Sequence, residues 1–231
     1  MSQHVPQRDK LKQPLEIKAF PWTPKQQEFL KLALDKNTRI IFVTGPAGSA
    51  KTLLATYVAL DLLNQHRLSD IIYVRSAVES SDSKLGYLPG EVEDKMAYYG
   101  IPLMDKLEEL LSKQHKEALI KDERVEIMPV NYVRGQSWNA RVAIVDEAQN
   151  MTQKELYTVL TRLGKFSKCY VLADPSQSDI NGKSGGYVRL RDHFATEKGK
   201  TKGIHQFHME HQDIMRDELV RYLVEEYEKL G

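Results

Sequence analysis

Short, uninterrupted apolar runs punctuate this chain: Ile40-Ile41-Phe42-Val43, the segment 70–74, Val142-Ala143-Ile144-Val145 and Val171-Leu172-Ala173. Runs of this length, bounded by polar residues, are too short for helices and read as strands buried on both faces. The pattern predicts strands over 39–44, 70–74, 125–130, 141–146, 168–173 and 204–209. Helices are predicted over 25–34, after Lys51, over 152–163 and over 211–229. From 102 to 121, Leu103, Leu107, Leu110, Leu111 and Ala118 keep helical spacing and mark a core or subunit-contact stripe. Strands alternating with helices imply an α/β fold, a mostly parallel sheet covered on both faces. Residues 1–22, polar and carrying Pro6, Pro14 and Pro21, read as an extended N-terminal arm, and 23–231 as one domain. The Ser- and Gly-rich stretch 79–90 reads as a long functional loop, and 196–203, with three lysines, as a solvated loop.

The first apolar run leads into Gly45-Pro46-Ala47-Gly48-Ser49-Ala50-Lys51-Thr52. A Gly, four residues, a small residue, then Lys and Thr is the spacing of a phosphate-binding loop. A buried strand there delivers a turn almost free of side chains, whose backbone N–H groups can wrap an anion. The helix that follows aims its positive end at the same point. Lys51 then reaches the β- and γ-phosphates and the Thr52 hydroxyl ligates Mg2+. Ala50 departs from the pattern, which places Gly before the Lys. Its methyl has two possible costs, crowding the phosphates or resisting the backbone angles that Gly permits.

Hydrolysis needs an acid for the metal shell and a base for water. Both stand in Val145-Asp146-Glu147-Ala148-Gln149, at the end of a predicted buried strand, where open α/β sheets place their ligands. Asp146 is the magnesium-shell candidate and Glu147 the base. The competing reading, an acidic pair capping the next helix, loses weight beside the phosphate loop. Gln177, in Asp174-Pro175-Ser176-Gln177, is positioned to touch a γ-phosphate or the attacking water; the alternative is an ordinary Asp-Pro turn.

These segments, in this order, resemble the motor core of superfamily 1 helicases and, more narrowly, the PhoH-like ATPases. The narrower resemblance adds Val74-Arg75-Ser76-Ala77-Val78-Glu79, Leu85-Gly86-Tyr87-Leu88-Pro89-Gly90, Arg134-Gly135-Gln136-Ser137 and Leu160-Thr161-Arg162-Leu163-Gly164. It runs from about Thr23 to Tyr227. The chain departs at Ala50, at Ala173, where a Gly usually precedes the Asp, and at 97–101, which lacks a Pro-Tyr pattern. The resemblance implies a single RecA-like P-loop NTPase domain that uses ATP and Mg2+ and acts on RNA or single-stranded DNA. It also implies that Gln26, with Gln27 as the alternative, reads the adenine edge; a helix-start polar residue is the other reading. Arg162 and Arg216 become candidates for stabilising charge during phosphoryl transfer, against surface ion pairing. Arg75, Ser76 and the 80–90 loop are candidates for the nucleic-acid track, with Tyr87 and Trp138 as stacking platforms.

At 231 residues there is room for one motor domain where a superfamily 1 helicase uses two. Either the site is half-finished or neighbouring copies complete it, and a closed ring, a hexamer for preference, is the expected assembly. Thirty-three basic and 32 acidic residues give a net charge of +1, so bulk attraction to nucleic acid is excluded and local patches must supply it. The single cysteine, Cys169, sits in an apolar run and excludes a disulfide framework. No stretch approaches the ~20 apolar residues of a membrane span and no signal-peptide core opens the chain, so a cytoplasmic protein is expected. His205, His208 and His211 do not read as a metal set, because residues three apart on a strand face opposite sides and no thiolate accompanies them. Two functions other than a motor ATPase remain: a nucleotide-dependent switch with slow hydrolysis, and a small-molecule kinase, disfavoured by the acidic box and the lack of a lid.

Overall fold

The structure is a computed structural model; it describes residues 11–76, 92–178 and 185–228, and of 92–97 and 227–228 the backbone alone. The 79–90 loop, Tyr87 and the 85–90 segment lie outside the described residues. In chain order the elements are α1 (Pro24–Leu34), β1 (Ile40–Thr44), α2 (Lys51–Asn64), β2 (Asp70–Arg75), α3 (Val92–Leu110), α4 (Lys113–Lys121), β3 (Val125–Pro129), β4 (Arg141–Asp146), α5 (Gln153–Leu160), β5 (Lys168–Ala173), α6 (Gly186–Phe194), α7 (Glu197–Thr201), β6 (Ile204–His208) and α8 (Glu218–Glu228).

The six strands pair in parallel, in the order β3-β2-β4-β5-β1-β6. The expected α/β domain with a parallel sheet flanked by helices is therefore present. Its central strands are buried on both faces, as their unbroken apolar runs require. One apolar core joins Ile41, Val43, Tyr73 and Leu172 to α2 and α3 through Leu54, Val58, Leu103 and Leu107. The other joins Phe42, Ile72, Val145 and Val171 to α5 and α6 through Leu156, Val159, Tyr187 and Leu190. Each such side chain contributes roughly 1.5–3 kcal/mol on leaving water. Residues 11–22 form no helix or strand. They are tied to the first core by Asn64, which accepts from Leu15 N and donates to Leu15 O, and by Lys18 N donating to Leu110 O.

Register decides where chemistry can gather. Thr44 sits opposite Ala173 and His208, and Arg75 opposite Asp146 and Pro129, so the strands end together at one pole. The strand that carries the phosphate loop, β1, is separated from β4, which carries Asp146, by β5 alone. A ligand held at the end of β1 thus faces the carboxylates of β4 across the end of β5.

Four elements differ from the sequence pattern. The 102–121 stripe is two helices, because the Ser112 side chain accepts from His115 N and starts α4 afresh. An unexpected helix, α6, covers 186–194; its charged Arg189, Arg191 and Asp192 obscure the period set by Tyr187 and Leu190. The 196–203 loop contains the short helix α7, capped by Thr196. The predicted helix over 211–229 begins only at Glu218, because Asp213 is drawn into other bonds. Its carboxylate accepts from Thr23 Oγ1 at 2.6 Å and from Glu210 N at 3.0 Å.

At the opposite pole, Lys168 is buried and donates to Asp35 O and Thr38 O. Burial, with Arg67 and Arg39 close by and Asp35 opposing, pushes its ammonium down to about 8. Between pH 8 and 9 the unfolded chain therefore holds a proton that the folded chain releases, and stability rises with pH. Above 9 the buried Cys169 thiol, pushed up to about 12, offsets the lysine's gain and the curve levels. Denaturation midpoints across pH 7–10 are expected to rise from 8 to 9, and Lys168→Met to flatten that limb.

Candidate nucleotide site

The loop between β1 and α2 is shaped by what it lacks. A Cβ on Gly45 would lie 2.8 Å from Met209 Cβ and 2.9 Å from Ser49 Oγ, so only Gly fits there. Gly48 takes φ +80° with Arg216 Cγ 2.9 Å from where a Cβ would stand. Pro46 and Ala47 carry the turn, and Pro46 O accepts from Ser49 N and Ser49 Oγ. Ala50 closes the loop at φ 63°, ψ 21°, the left-handed region, and starts α2 without a side-chain cap. The conflict anticipated at Ala50 thus includes backbone angle: an L-residue there costs roughly 1–2 kcal/mol.

Lys51 turns back into the loop, its Nζ donating to Gly45 O at 2.7 Å and Pro46 O at 2.8 Å. Burial lowers its pKa, while Asp174, Asp146 and Glu147 oppose that shift. Thr52 Oγ1 lies 3.1 and 3.3 Å from the two carboxylate oxygens of Asp146. The buried Asp146 carboxylate also accepts from Tyr73 Oη at 2.6 Å and Glu147 N at 3.1 Å. Tyr73, buried and bonded to that carboxylate, has its own ionisation pushed far upward.

Glu147 is left-handed too, at φ 53°. Its carboxylate accepts from Gln149 Nε2 at 2.6 Å and pairs with Arg75 at 3.8 Å. The other end of the same Gln149 amide accepts from Asp174 N at 3.1 Å, tying the end of β4 to the end of β5. Asp174 Oδ1 accepts from Ser176 N and Oγ, whereas its Oδ2 is buried with no hydrogen-bond partner.

Gly48, Ala50, Lys51, Thr52, Asp146, Glu147, Asp174, Gln177 and Arg216 line one cavity of about 350 Å3, with Lys106 and Glu109 of α3 also on its wall. Its chemistry fits a nucleotide phosphate with a hard cation. The glycines leave backbone room for an anion, a hydroxyl and a carboxylate offer oxygen donors of the kind Mg2+ takes, and Asp174 Oδ2 is an acceptor without a donor.

Four expected residues, Gln26, Gln27, Arg162 and Trp138, stand elsewhere. Gln26 is buried, its Oε1 accepting from Thr23 N in the α1 capping box and its Nε2 donating to Asp213 O. Both ends of its amide are committed, so here it braces residues 213–216, whose Met215 N donates to Gly48 O. Gln27 bonds Trp22 O and also leaves the cavity. Arg162, at the far end of α5, donates to Thr158 O and Gln136 O. Its own carbonyl accepts from Trp138 N ahead of β4, a strand's length from Asp146. Trp138 is 1% exposed and bonds Gln136 Oε1, so it offers no base a stacking face. Arg75, read as a track residue, pairs with Glu147.

Sequence reasoning missed Tyr73, because a tyrosine inside an apolar run looks like core. Gln149 and Asp174 join two strand ends, and an Asp and a Gln just beyond buried strands are the signal that could have found them. Relieving the left-handed alanine gives a direct check. Ala50→Gly is expected to raise stability by about 1 kcal/mol, read as a higher denaturation midpoint.

Comparison with known proteins supports a family assignment. The chain is 36% identical over 208 residues to the "PhoH-like protein" of Bacillus subtilis (strain 168), covering 90% of this chain and 63% of that one. It is 34% identical over 205 residues to "Protein PhoH" of Escherichia coli (strain K12), covering 87% and 56%. It thus spans about three fifths of the length of these relatives. The crystal structure of Pif1 helicase from Candida albicans overlays with a TM-score of 0.42 at 17% identity, covering 83% of this chain and 40% of that one. The family model described as "PhoH-like protein" matches residues 18–228. Nearly all of the fold and every residue of the cavity fall inside that match, and the chain belongs to the PhoH-like protein family.

Proposed function

We propose that the cavity binds ATP with Mg2+ and hydrolyses it, and that the chain couples hydrolysis to binding or remodelling RNA or single-stranded DNA. The observation that carries the enzymatic part is the convergence of Lys51, Thr52, Asp146 and Glu147, drawn from two strand ends, on one cavity. The backbone N–H groups of 47–50 and the start of α2 cradle the phosphates. Lys51 exchanges the carbonyls of Gly45 and Pro46 for phosphate oxygens. The Thr52 hydroxyl and the Asp146 carboxylate would hold Mg2+, which neutralises charge on the phosphate oxygens when bound. Tyr73 and Glu147 N keep that carboxylate turned toward Thr52.

Glu147 accepts the proton of the attacking water once its carboxylate leaves Gln149 and Arg75. Gln177 lies where it can sense the γ-phosphate, and Arg216, on the cavity wall, supplies positive charge to the transferring group. The nucleic-acid part rests on the family and on Arg75 and Ser76 standing at the same pole. No helix of the described residues is long and apolar enough to cross a membrane. Copies of the chain associate head to tail in a ring.

The switch reading has its own support: the left-handed Ala50 and a Glu147 already hydrogen-bonded both describe a site that turns over slowly. Glu147→Gln separates the two. Under the ATPase reading it lowers the hydrolysis rate about 100-fold or more and leaves ATP affinity within a few-fold. An unchanged rate contradicts Glu147 as the base.

A further inference from the structure

The pole of the sheet opposite the cavity, where the strands begin, is divided in two by charge. At the starts of β3, β2 and β4, Arg124 and Arg141 lie beside Asp70, and Arg141 beside Glu126, so charge cancels. At the starts of β5, β1 and β6 it does not. Residue 67 and the segments 35–39, 164–168 and 197–205 hold eight lysines and arginines against two carboxylates, Asp35 and Glu197, in a chain whose net charge is +1. Lys31 in the last turn of α1 offsets Asp61 in the last turn of α2.

These segments are tied together at Arg39. Its backbone N donates to Gly203 O, and its guanidinium donates to Ser167 O at 2.7 Å and Gly164 O at 2.8 Å. Arg67 crosses to the same half by donating to Leu34 O at 2.6 Å, and Lys168 donates to Asp35 O and Thr38 O. Burial lowers the pKa of His205 and Asp35 opposes it, while Lys200 and Lys168 add to the lowering, as like charges close by do. Neutral carbonyls orient several of these cations without cancelling their charge.

The loop that Arg39 pins carries Phe166, 69% exposed. Its ring joins neither apolar core and pairs with no other ring among the described residues. Its φ is 63°, where a bulky L-residue is strained and Gly is not. Packing and backbone both disfavour a phenylalanine here, and strain kept at an open position points to use. An exposed ring set among cations suits a single strand: bases stack on the ring and phosphates meet the charges.

We infer that this face binds single-stranded nucleic acid, with a base stacked on Phe166 and phosphates held by the exposed Lys36, Lys165 and Lys202. Such contacts read no base edge, so binding is indifferent to sequence. The inference rests on the nucleic-acid part of the proposed function and gives it a site at the pole away from Arg75 and Ser76; it does not depend on hydrolysis. Strand β5 begins in this face at Lys168 and ends at Ala173, next to Asp174 of the cavity, so one buried strand runs from one site to the other.

Fluorescence anisotropy with a labelled oligouridylate and an oligothymidylate of equal length tests it on the intact chain. Lys36→Glu combined with Lys165→Glu is expected to weaken binding at least about tenfold and to lower the slope of log Kd on log salt by about 1.4. Phe166→Gly is expected to weaken binding at least about fivefold while raising the melting midpoint, because it relieves the left-handed angle; the opposite signs separate binding from folding. If both variants bind as the wild type does while Arg75→Ala does not, the inference falls and the strand lies at the cavity pole alone. A wild type that binds neither strand overturns the inference together with the nucleic-acid part of the proposed function. Capture of that wild type, but not of Phe166→Gly, by anionic phospholipid vesicles would then give the face to a membrane. A failed Glu147→Gln hydrolysis test would leave these affinities untouched.

Discussion

The carboxylate of Asp146 is the point at which the site becomes one object. Thr52 reaches it from the start of α2, Tyr73 from the middle of β2, and Glu147 N from the turn beyond β4. These groups belong to three segments far apart in sequence, and only the strand order brings them together. Placing β5 between β1 and β4 sets the gap that a phosphate and its cation need to span. Partly buried hydrogen bonds to a charged acceptor are worth roughly 1.5–3 kcal/mol each, so the constellation is held before any ligand arrives. That is the preorganisation on which electrostatic catalysis rests.

Around that centre the site keeps polar demand unfilled and backbone strain unrelieved. Ala50 and Glu147, on facing sides of the cavity, both take left-handed angles. Four other non-glycine residues do so among the described residues, His66, Glu123, Ala140 and Phe166, but none of these lines the cavity. Asp174 Oδ2 lacks a donor, and Lys51 is held by carbonyls that it can exchange for stronger acceptors. Gln149 passes the position of β5's end to Glu147 through a single amide. A change at Asp174 would therefore be felt at Glu147.

Much of this was legible in the sequence, for a physical reason. Strands buried on both faces cannot hide their composition, and a phosphate loop cannot be built without Gly45 and Gly48 in their places. That Lys51, Thr52, Asp146 and Glu147 come to one cavity was legible, because a phosphate-loop spacing and an acidic pair each follow a predicted buried strand. Tyr73 was not, since burial and function ask for the same side chain there. The roles sought for Gln26 and Trp138 failed on satisfaction and burial, which pattern does not reveal: one amide is spent on Thr23 and Asp213, and one indole is sealed in the core. The late start of α8 was hidden as well, because Asp213 leaves the helix for Thr23, a partner 190 residues away.

Whether Asp146 and Thr52 act with Lys51 as one metal–phosphate site is tested most directly by calorimetric titration with a non-hydrolysable ATP analogue. Mg2+ is expected to tighten binding to the wild type at least about tenfold, a 1.4 kcal/mol effect. Asp146→Asn should lose that increment while keeping the metal-free affinity, and Lys51→Ala should lose both. If Asp146→Asn binds the analogue with Mg2+ as tightly as the wild type does, the carboxylate is not part of the site and the account is wrong.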